Sequence, residues 1–163
     1  MEIISRDKIT SVRFDIFPTN CQAQMLEEWA QKYTCLIKDS LAGANEEEIS
    51  LNYSAFLQQF TSHMKYRIER DVWLIRKKII RNFSTQLLRC NHNAYKLVRG
   101  KISLRLRTKL LWLPTDGTFI PRNRQGTLTI FKANDKWKAE ILLWVKSTRG
   151  DKVNDKKHIS ISE

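Results

Sequence analysis

The sequence predicts an α+β fold in which a small antiparallel β-barrel is interrupted by two or three helices. Period-two alternation of apolar and polar residues marks a strand near the start and several strands after Gly100. Between these regions, apolar residues recur at helical spacing. Because a lone first strand needs partners, we expect it to pair with the C-terminal strands, so that the helices form an insertion into one β domain.

The first strand and the first helix have clear local signals. Residues 9–17 alternate well, and Pro18 ends the strand because proline has no N–H to give to a ladder. Either residue of Thr19-Asn20 can cap a helix that runs to about Ala42. Gly43 is predicted to end this helix because glycine tolerates the left-handed conformation.

Two further helices are predicted after an acidic connection at residues 46–48. One begins at Asn52 or Tyr53 and runs to about Glu69, and the other spans residues 71–97; the two are also compatible with one long helix. The second has an apolar stripe, and a basic face is predicted opposite it. The residues of that face are Arg70, Lys77, Lys78, Arg81 and Arg89.

The last part of the chain is predicted to contain four short strands. Turn residues at 114–117 and 134–135 separate runs of alternating residues. The predicted strands cover residues 109–113, 118–120, 126–131 and 137–145.

These elements give a domain organisation with three parts. Residues 8–19 and 101–146 would form the β-barrel, and residues 20–100 would form the helical insertion. Residues 147–163 would form a polar, flexible tail, in which residues 158–162 resemble the beginning of another strand.

The charge of the chain is strongly asymmetric. Residues 1–50 carry 5 Lys or Arg against 9 Asp or Glu, whereas residues 51–163 carry 24 against 8. No acidic residue occurs between Asp71 and Asp116, although a solvated amphipathic helix would normally mix both signs. The basic part therefore indicates a polyanionic partner.

Several classes of protein are not expected. No apolar run reaches the ~20 residues of a membrane span, and no signal peptide is visible, so we expect a cytoplasmic protein. The three cysteines, Cys21, Cys35 and Cys90, fit free thiols. Neither a phosphate-binding loop nor a dinucleotide fingerprint is present, and Cys90 with His92 supplies too few ligands for zinc. We therefore expect no metal, no cofactor and no enzymatic activity.

The basic residues near the strands are the best candidates for phosphate contacts. In an extended chain Arg105, Arg107 and Lys109 would project to one side, and Arg122 and Arg124 lie in a predicted loop. Solvated faces are the alternative interpretation. The full set of predicted RNA or DNA contacts is Arg13, Lys77, Lys78, Arg81, Arg105, Arg107, Lys109, Arg122, Arg124 and Lys138.

Aromatic residues beside these cations suggest base stacking. Trp112 and Phe119 are the candidates, and Trp137 would offer the same chemistry. The alternative is that the tryptophans belong to the hydrophobic core, and for Trp112 and Trp137 we favour this second interpretation.

The order of the segments resembles the N-terminal half of the transposon-encoded TnpB proteins and of the related miniature type V CRISPR effectors. The first strand and its cap, residues 12–19, lead into a helix with Leu26 and Trp29. A helical part follows, and the return to β structure at residues 93–104 and the strand at residues 132–141 also resemble the family.

This resemblance implies a wedge-like, OB-like β-barrel with recognition helices that bind guide-type structured RNA and, with it, duplex target DNA. In the family a RuvC nuclease and a zinc ribbon follow, whereas this chain ends about where the RuvC domain would begin. We therefore expect a split, truncated or repurposed effector half that binds without cleaving. The alternatives are a protein-interaction subunit or inhibitor that docks on a RuvC-bearing partner, and a DNA-binding regulator that acts without RNA.

Overall fold

The computed structural model describes residues 8–117 and 120–145, which form an α+β fold of helices and antiparallel sheets. The three helices of this part are α1 (Asn20–Leu41), α2 (Glu46–Leu57) and α3 (Ser62–Arg76). Its seven strands are β1 (Lys8–Asp15), β2 (Leu87–Cys90), β3 (Tyr95–Val98), β4 (Lys101–Arg105), β5 (Leu110–Pro114), β6 (Gln125–Ala133) and β7 (Lys136–Val145).

The strands pair in two antiparallel sheets. One has the order β1-β7-β6-β2 and the other the order β3-β4-β5. The pairing of β1 with β7 confirms that the first strand joins the C-terminal ones. An isolated bridge between Ile16 and Thr115 brings the end of β1 beside the end of β5. The described strands therefore form two sheets that touch at one edge, and no closed barrel is found among them.

The first helix has the predicted ends. The Thr19 side chain accepts a hydrogen bond from the Gln22 N–H, and the Gln22 side chain accepts one from the Thr19 N–H, which together form a capping box. At the other end Gly43 adopts φ +99°, the left-handed conformation that glycine tolerates best.

The single helix predicted for residues 52/53–69 is wrong, because two helices occupy this region. Residues 46–48 form the first turn of α2, where the Asn45 side chain accepts a hydrogen bond from the Glu48 N–H. The helix ends after Leu57 because Phe60 is buried and forms a bridge with Leu106, which directly follows β4.

The long helix predicted for residues 71–97 is also wrong, since α3 ends at Arg76. Lys78 takes φ +60°, and the N–H groups of Lys78 and Ile79 bond to the carbonyls of Ile75 and Leu74 at 2.9 Å each. This pattern is a Schellman motif with a lysine in the position that glycine usually fills. The basic helix face of the prediction therefore does not exist.

Strands replace the second half of that predicted helix. β2 and β3 contain only four residues each and are joined by a 3₁₀ turn at His92–Ala94. Helices thus occupy residues 20–76 rather than the whole of the predicted insertion, 20–100.

The C-terminal strands agree better with the prediction. β5, β6 and β7 lie close to the predicted runs, and Asn134-Asp135, both with positive φ, form the tight turn between β6 and β7. Ile120 lies outside any strand, whereas residues 118–119 and the predicted tail at 147–163 lie outside the described residues.

Cys21, Cys35 and Cys90 are free thiols, and burial raises the pKa of Cys90 to about 12.

A fully buried carboxylate joins the helices to the first sheet. Asp71 on α3 accepts hydrogen bonds from Arg67 Nη2 at 2.6 Å, from Arg89 Nε at 3.0 Å and from the Tyr33 hydroxyl. Asp71 is 0% exposed, and both arginines are buried. Arg89, placed on an exposed helix face by the sequence pattern, is thus an interior residue of β2.

The two guanidinium groups extend this network into β6. Arg67 donates to the Thr127 hydroxyl at 2.8 Å, and Arg89 donates to the Thr129 hydroxyl at 3.2 Å. We name the six residues the Asp71 network: Tyr33, Arg67, Asp71, Arg89, Thr127 and Thr129. It links α1, α3, β2 and β6 through charge-assisted hydrogen bonds.

Replacing Asp71→Ala is expected to lower the free energy of unfolding by about 3–5 kcal/mol, because it leaves two buried guanidinium groups without their carboxylate. Urea unfolding followed by circular dichroism measures the change. Glu27→Ala, which removes an exposed carboxylate from α1, is the matched control and should change stability by no more than about 0.5 kcal/mol. A loss below about 1 kcal/mol for Asp71→Ala would contradict the assigned role of the network.

The Tyr33 hydroxyl gives the network a pH dependence. Burial, together with the Asp71 carboxylate, raises the pKa of Tyr33 well above its ordinary value of 10.0. The folded chain keeps this proton where the unfolded chain loses it, so the stabilisation is complete below pH 10.0 and decreases above it. Above this pH we expect the free energy of unfolding of Tyr33→Phe to decline less steeply than that of the unmodified protein, by up to about 1.4 kcal/mol per pH unit. Urea unfolding at several pH values measures both, and equal slopes of the free energy of unfolding against pH would contradict this assignment.

Candidate nucleic-acid interface

The sheet β3-β4-β5 has one buried face and one exposed face. On the buried side Ile102 lies opposite Leu97 and Leu113, and Leu104 lies opposite Tyr95 and Leu111. All six of these residues are buried. The alternation of a strand then requires their neighbours to point outward.

We name the outward side the β3–β5 face. Its central strand presents Lys101, Ser103 and Arg105 in order. Ser103 lies between Lys96 and Trp112, whereas Lys101 lies between Val98 and Pro114, and Arg105 lies opposite Leu110. The residues of the face are Lys96, Val98, Lys101, Ser103, Arg105, Leu110, Trp112 and Pro114.

Trp112 is the largest side chain of this face and is 44% exposed. The preferred core interpretation is therefore wrong for Trp112 and is confirmed for Trp137, which is 8% exposed. The Lys101 Nζ lies 5.9 Å from the centre of the Trp112 ring, within the range of a cation–π contact. A buried small residue, Ser103, separates Trp112 from Lys96.

A second exposed aromatic residue adjoins the face. The Phe17 N–H donates to the Pro114 carbonyl at 2.9 Å, next to the Ile16–Thr115 bridge. Phe17 therefore lies opposite Pro114 and shares its side of the sheet, where it is 54% exposed. On the same edge Gln22 Nε2 donates to the Trp112 carbonyl at 3.1 Å, which fixes the backbone beside the tryptophan.

The β3–β5 face contains no acidic residue. The whole sheet falls within residues 72–115, the stretch without Asp or Glu. Lys96, Lys101 and Arg105 are exposed, and none of them has an ion-pair partner within the described ranges. The face therefore combines uncompensated positive charge with an accessible aromatic ring.

The outer surface of the first sheet differs, because two of its cations are paired with carboxylates. Arg13 Nη2 donates to Glu140 Oε2 at 2.9 Å, and Lys138 donates to Asp15. The hydrogen bond from Lys138 holds the pKa of Asp15 below its ordinary value. Arg13 and Lys138, both predicted as phosphate contacts, thus have their charge balanced by cross-strand carboxylates.

The structure separates Arg105, Arg107 and Lys109, which were expected to project together from an extended chain. Only Arg105 belongs to a strand, because residues 106–109 form the hairpin loop between β4 and β5. Arg107 turns toward the loop after α2, where its Nε donates to the Phe60 carbonyl at 3.2 Å. Lys109 is exposed in the hairpin loop.

The remaining predicted contacts lie in exposed loops. Lys77, Lys78 and Arg81 follow the end of α3, and Arg122 and Arg124 form a 3₁₀ turn before β6. The pKa of His92 lies below its ordinary value, mainly because the imidazole is partly buried. The positive charges of Arg122 and His63 lower it further. Phe119, the other predicted stacking residue, lies outside the described residues.

A further exposed surface on α3 was missed by sequence reasoning. Tyr66 is 65% exposed and Trp73 is 43% exposed, and the Arg70 guanidinium lies 4.8 Å from the centre of the Trp73 ring. With Glu69 and Asn91 these residues line an open groove of about 500 Å³. Their spacing of three and four residues gave the signal, but the predicted helix boundaries divided it between two helices. We name Tyr66, Arg70 and Trp73 the α3 aromatic stripe.

Comparison with models of known protein families gives no match, and no curated protein matches the chain either. In the part of the chain that the structure describes, no helix has the length and apolar character needed to cross a membrane. Within residues 8–117 and 120–145, no group of three or more His, Cys, Asp or Glu residues is arranged to hold a metal ion.

The different burial of two tryptophans gives a stability prediction. Trp112→Ala is expected to change the free energy of unfolding by less than about 1 kcal/mol, because the ring is nearly half exposed. Trp137→Ala is expected to cost about 3–5 kcal/mol, because it removes a buried aromatic side chain. Urea unfolding of both variants measures the difference, and equal losses would contradict the surface position of Trp112.

Proposed function

We propose that this chain binds structured RNA, and duplex DNA together with that RNA, without cutting either nucleic acid. It would act as a split, truncated or repurposed half of a TnpB-like or type V effector-like protein. The three free thiols suit a reducing compartment, and we place the protein in the cytoplasm.

The single observation that carries this proposal is the difference between the outer surfaces of the two sheets. In the first sheet Arg13 and Lys138 are paired with carboxylates, whereas on the β3–β5 face none of the three cations beside Trp112, Lys96, Lys101 and Arg105, has such a partner among the described residues. Like charges that share a surface repel one another, and a bound polyanion neutralises them and removes this repulsion. Nucleic acid supplies both the phosphates and the bases that this combination can bind.

The strand arrangement supports a wedge-like barrel as part of the same proposal. Through the Ile16–Thr115 bridge the two sheets follow one another as β2-β6-β7-β1 and then β5-β4-β3. At the far side the Tyr95 hydroxyl donates to the Gly126 carbonyl at 2.8 Å, so β3 also approaches β6. We propose that the two sheets form the walls of one partly open barrel.

The resemblance to the TnpB family supports the same function. The three segments that carry it coincide with elements of the fold: the end of β1 with its helix cap, the β3–β4 hairpin, and the β6–β7 hairpin. One of these three segments, the β3–β4 hairpin, carries Lys96, Lys101 and Arg105 of the proposed interface.

Filter binding of a hairpin RNA with a single-stranded flank at increasing salt tests the proposal. Affinity should decrease steeply with the logarithm of the salt concentration, because bound cations release counterions from the phosphates. The triple variant Lys96→Ala, Lys101→Ala, Arg105→Ala should reduce the magnitude of the log–log slope by about 2 to 3.

A charge-matched control separates local contacts from the net charge. The variant Lys32→Ala, Lys38→Ala, Lys65→Ala removes the same charge from exposed positions on α1 and α3 and should leave most of the slope unchanged. Absence of binding, a slope near zero in the unmodified protein, or equal slopes for the two triple variants would each contradict the proposal.

A second candidate function rests on the α3 aromatic stripe. Exposed Trp, Tyr and Arg are the residues most often found at the energetic centres of protein interfaces, and here Glu69 lies among them. In this alternative the chain is a protein-interaction subunit or inhibitor that docks on a RuvC-bearing partner. Co-purification after ribonuclease treatment distinguishes the candidates: a retained nuclease supports docking, and retained DNA binding without RNA supports a DNA-binding regulator.

A further inference from the structure

We propose that the β3–β5 face binds a single-stranded segment of the RNA, with one unpaired base stacked on Trp112. Lys96, Lys101 and Arg105 would hold the phosphates on either side of that base. This inference rests on the proposed RNA-binding function and goes beyond it, because it assigns the kind of RNA structure and the residue that recognises it.

The positions of the charges fit one strand of nucleic acid running across the sheet. Lys101 and Arg105 are four residues apart on β4, which corresponds to about 13 Å at ~3.3 Å per residue. Ser103 lies midway between them, with Trp112 on one side of it and Lys96 on the other. Trp112 lies on β5, so the three cations lie to one side of its ring, on the neighbouring strand β4 and on β3 beyond it.

The accessible ring favours an unpaired base over a duplex. In a duplex the base faces are covered by neighbouring base pairs, whereas unpaired bases can stack on exposed aromatic side chains. The carbonyl of Trp112 accepts a hydrogen bond from the Gln22 side chain, and the Lys101 ammonium lies 5.9 Å from the centre of its ring. A duplex would meet the cations of this face without using the ring.

The composition of the face favours nucleic acid over a protein partner. Lysine is depleted at the centres of protein interfaces, and the β3–β5 face has two lysines and an arginine around its tryptophan. The α3 aromatic stripe differs, because an acidic residue, Glu69, shares its groove. Only the first of these two surfaces therefore has the charge expected of a phosphate-binding site.

The test compares Trp112→Ala with the unmodified protein on three probes: a single-stranded oligouridine RNA, a blunt-ended double-stranded RNA made of two complementary strands, and single-stranded oligothymidine DNA. We expect Trp112→Ala to weaken binding of the oligouridine RNA by about 5- to 150-fold, the loss typical of one stacked base. Binding of the double-stranded RNA should change by less than about twofold. The salt slope should stay the same, because the substitution removes no charge.

Two control variants make the result specific to stacking. Trp112→Phe keeps an aromatic ring and should restore most of the affinity for the single strand. Trp73→Ala removes a tryptophan that is equally exposed, at 43%, but lies on α3, and should leave the affinity unchanged. Circular dichroism of each variant confirms that it is folded.

The outcomes separate this inference from the proposed function. Equal weakening of the single strand and the double-stranded RNA, or no effect of Trp112→Ala on the single strand, overturns the stacking assignment while salt-dependent RNA binding stands. DNA bound more than about tenfold tighter than RNA overturns the choice of RNA. Failure of every probe to bind overturns both the inference and the function on which it rests.

Discussion

The Asp71 carboxylate is the interaction on which the rest of this structure depends. It accepts from two buried arginines and from Tyr33, so that α1, α3 and β2 meet at one point, and the arginines continue to β6. Burying charge without such partners would cost several kcal/mol per ion. The elements are therefore held in one relative arrangement, because displacing the carboxylate or a hydroxyl from this site would remove a hydrogen-bond partner from a buried charged group.

This constraint also sets the position of the second sheet. Asn91, which follows β2, accepts from Arg67 Nη1 at 3.4 Å, and its amide donates to the His63 carbonyl at 3.3 Å. The chain then enters β3, while the β4–β5 hairpin is attached to the start of α3 through the Phe60–Leu106 bridge. The buried network thus orients the surface that carries exposed charge, although no residue of the network belongs to that surface.

Some elements of this fold and of its candidate site could be predicted from the sequence, and others could not. β1, α1 and the β6–β7 hairpin have alternation, capping and turn residues that act locally, and they were predicted correctly. The end of α3 was missed because Lys78 occupies the left-handed position where glycine would have been the signal. The absence of acidic residues from 72 to 115 indicated the region of the candidate interface, but Leu111-Trp112-Leu113 is apolar throughout, so alternation alone could not tell which side faces water.

The pairing of β1 with β7 has a consequence for how the chain is made. The residues of β1 leave the ribosome before those of their partner strand, Lys136–Val145, which follows more than a hundred residues later. During synthesis α1 to α3 can form by local contacts, whereas β1 must stay without its ladder until nearly all of the described chain is available. The unpaired strand therefore stays exposed to wrong partners until β7 has been made.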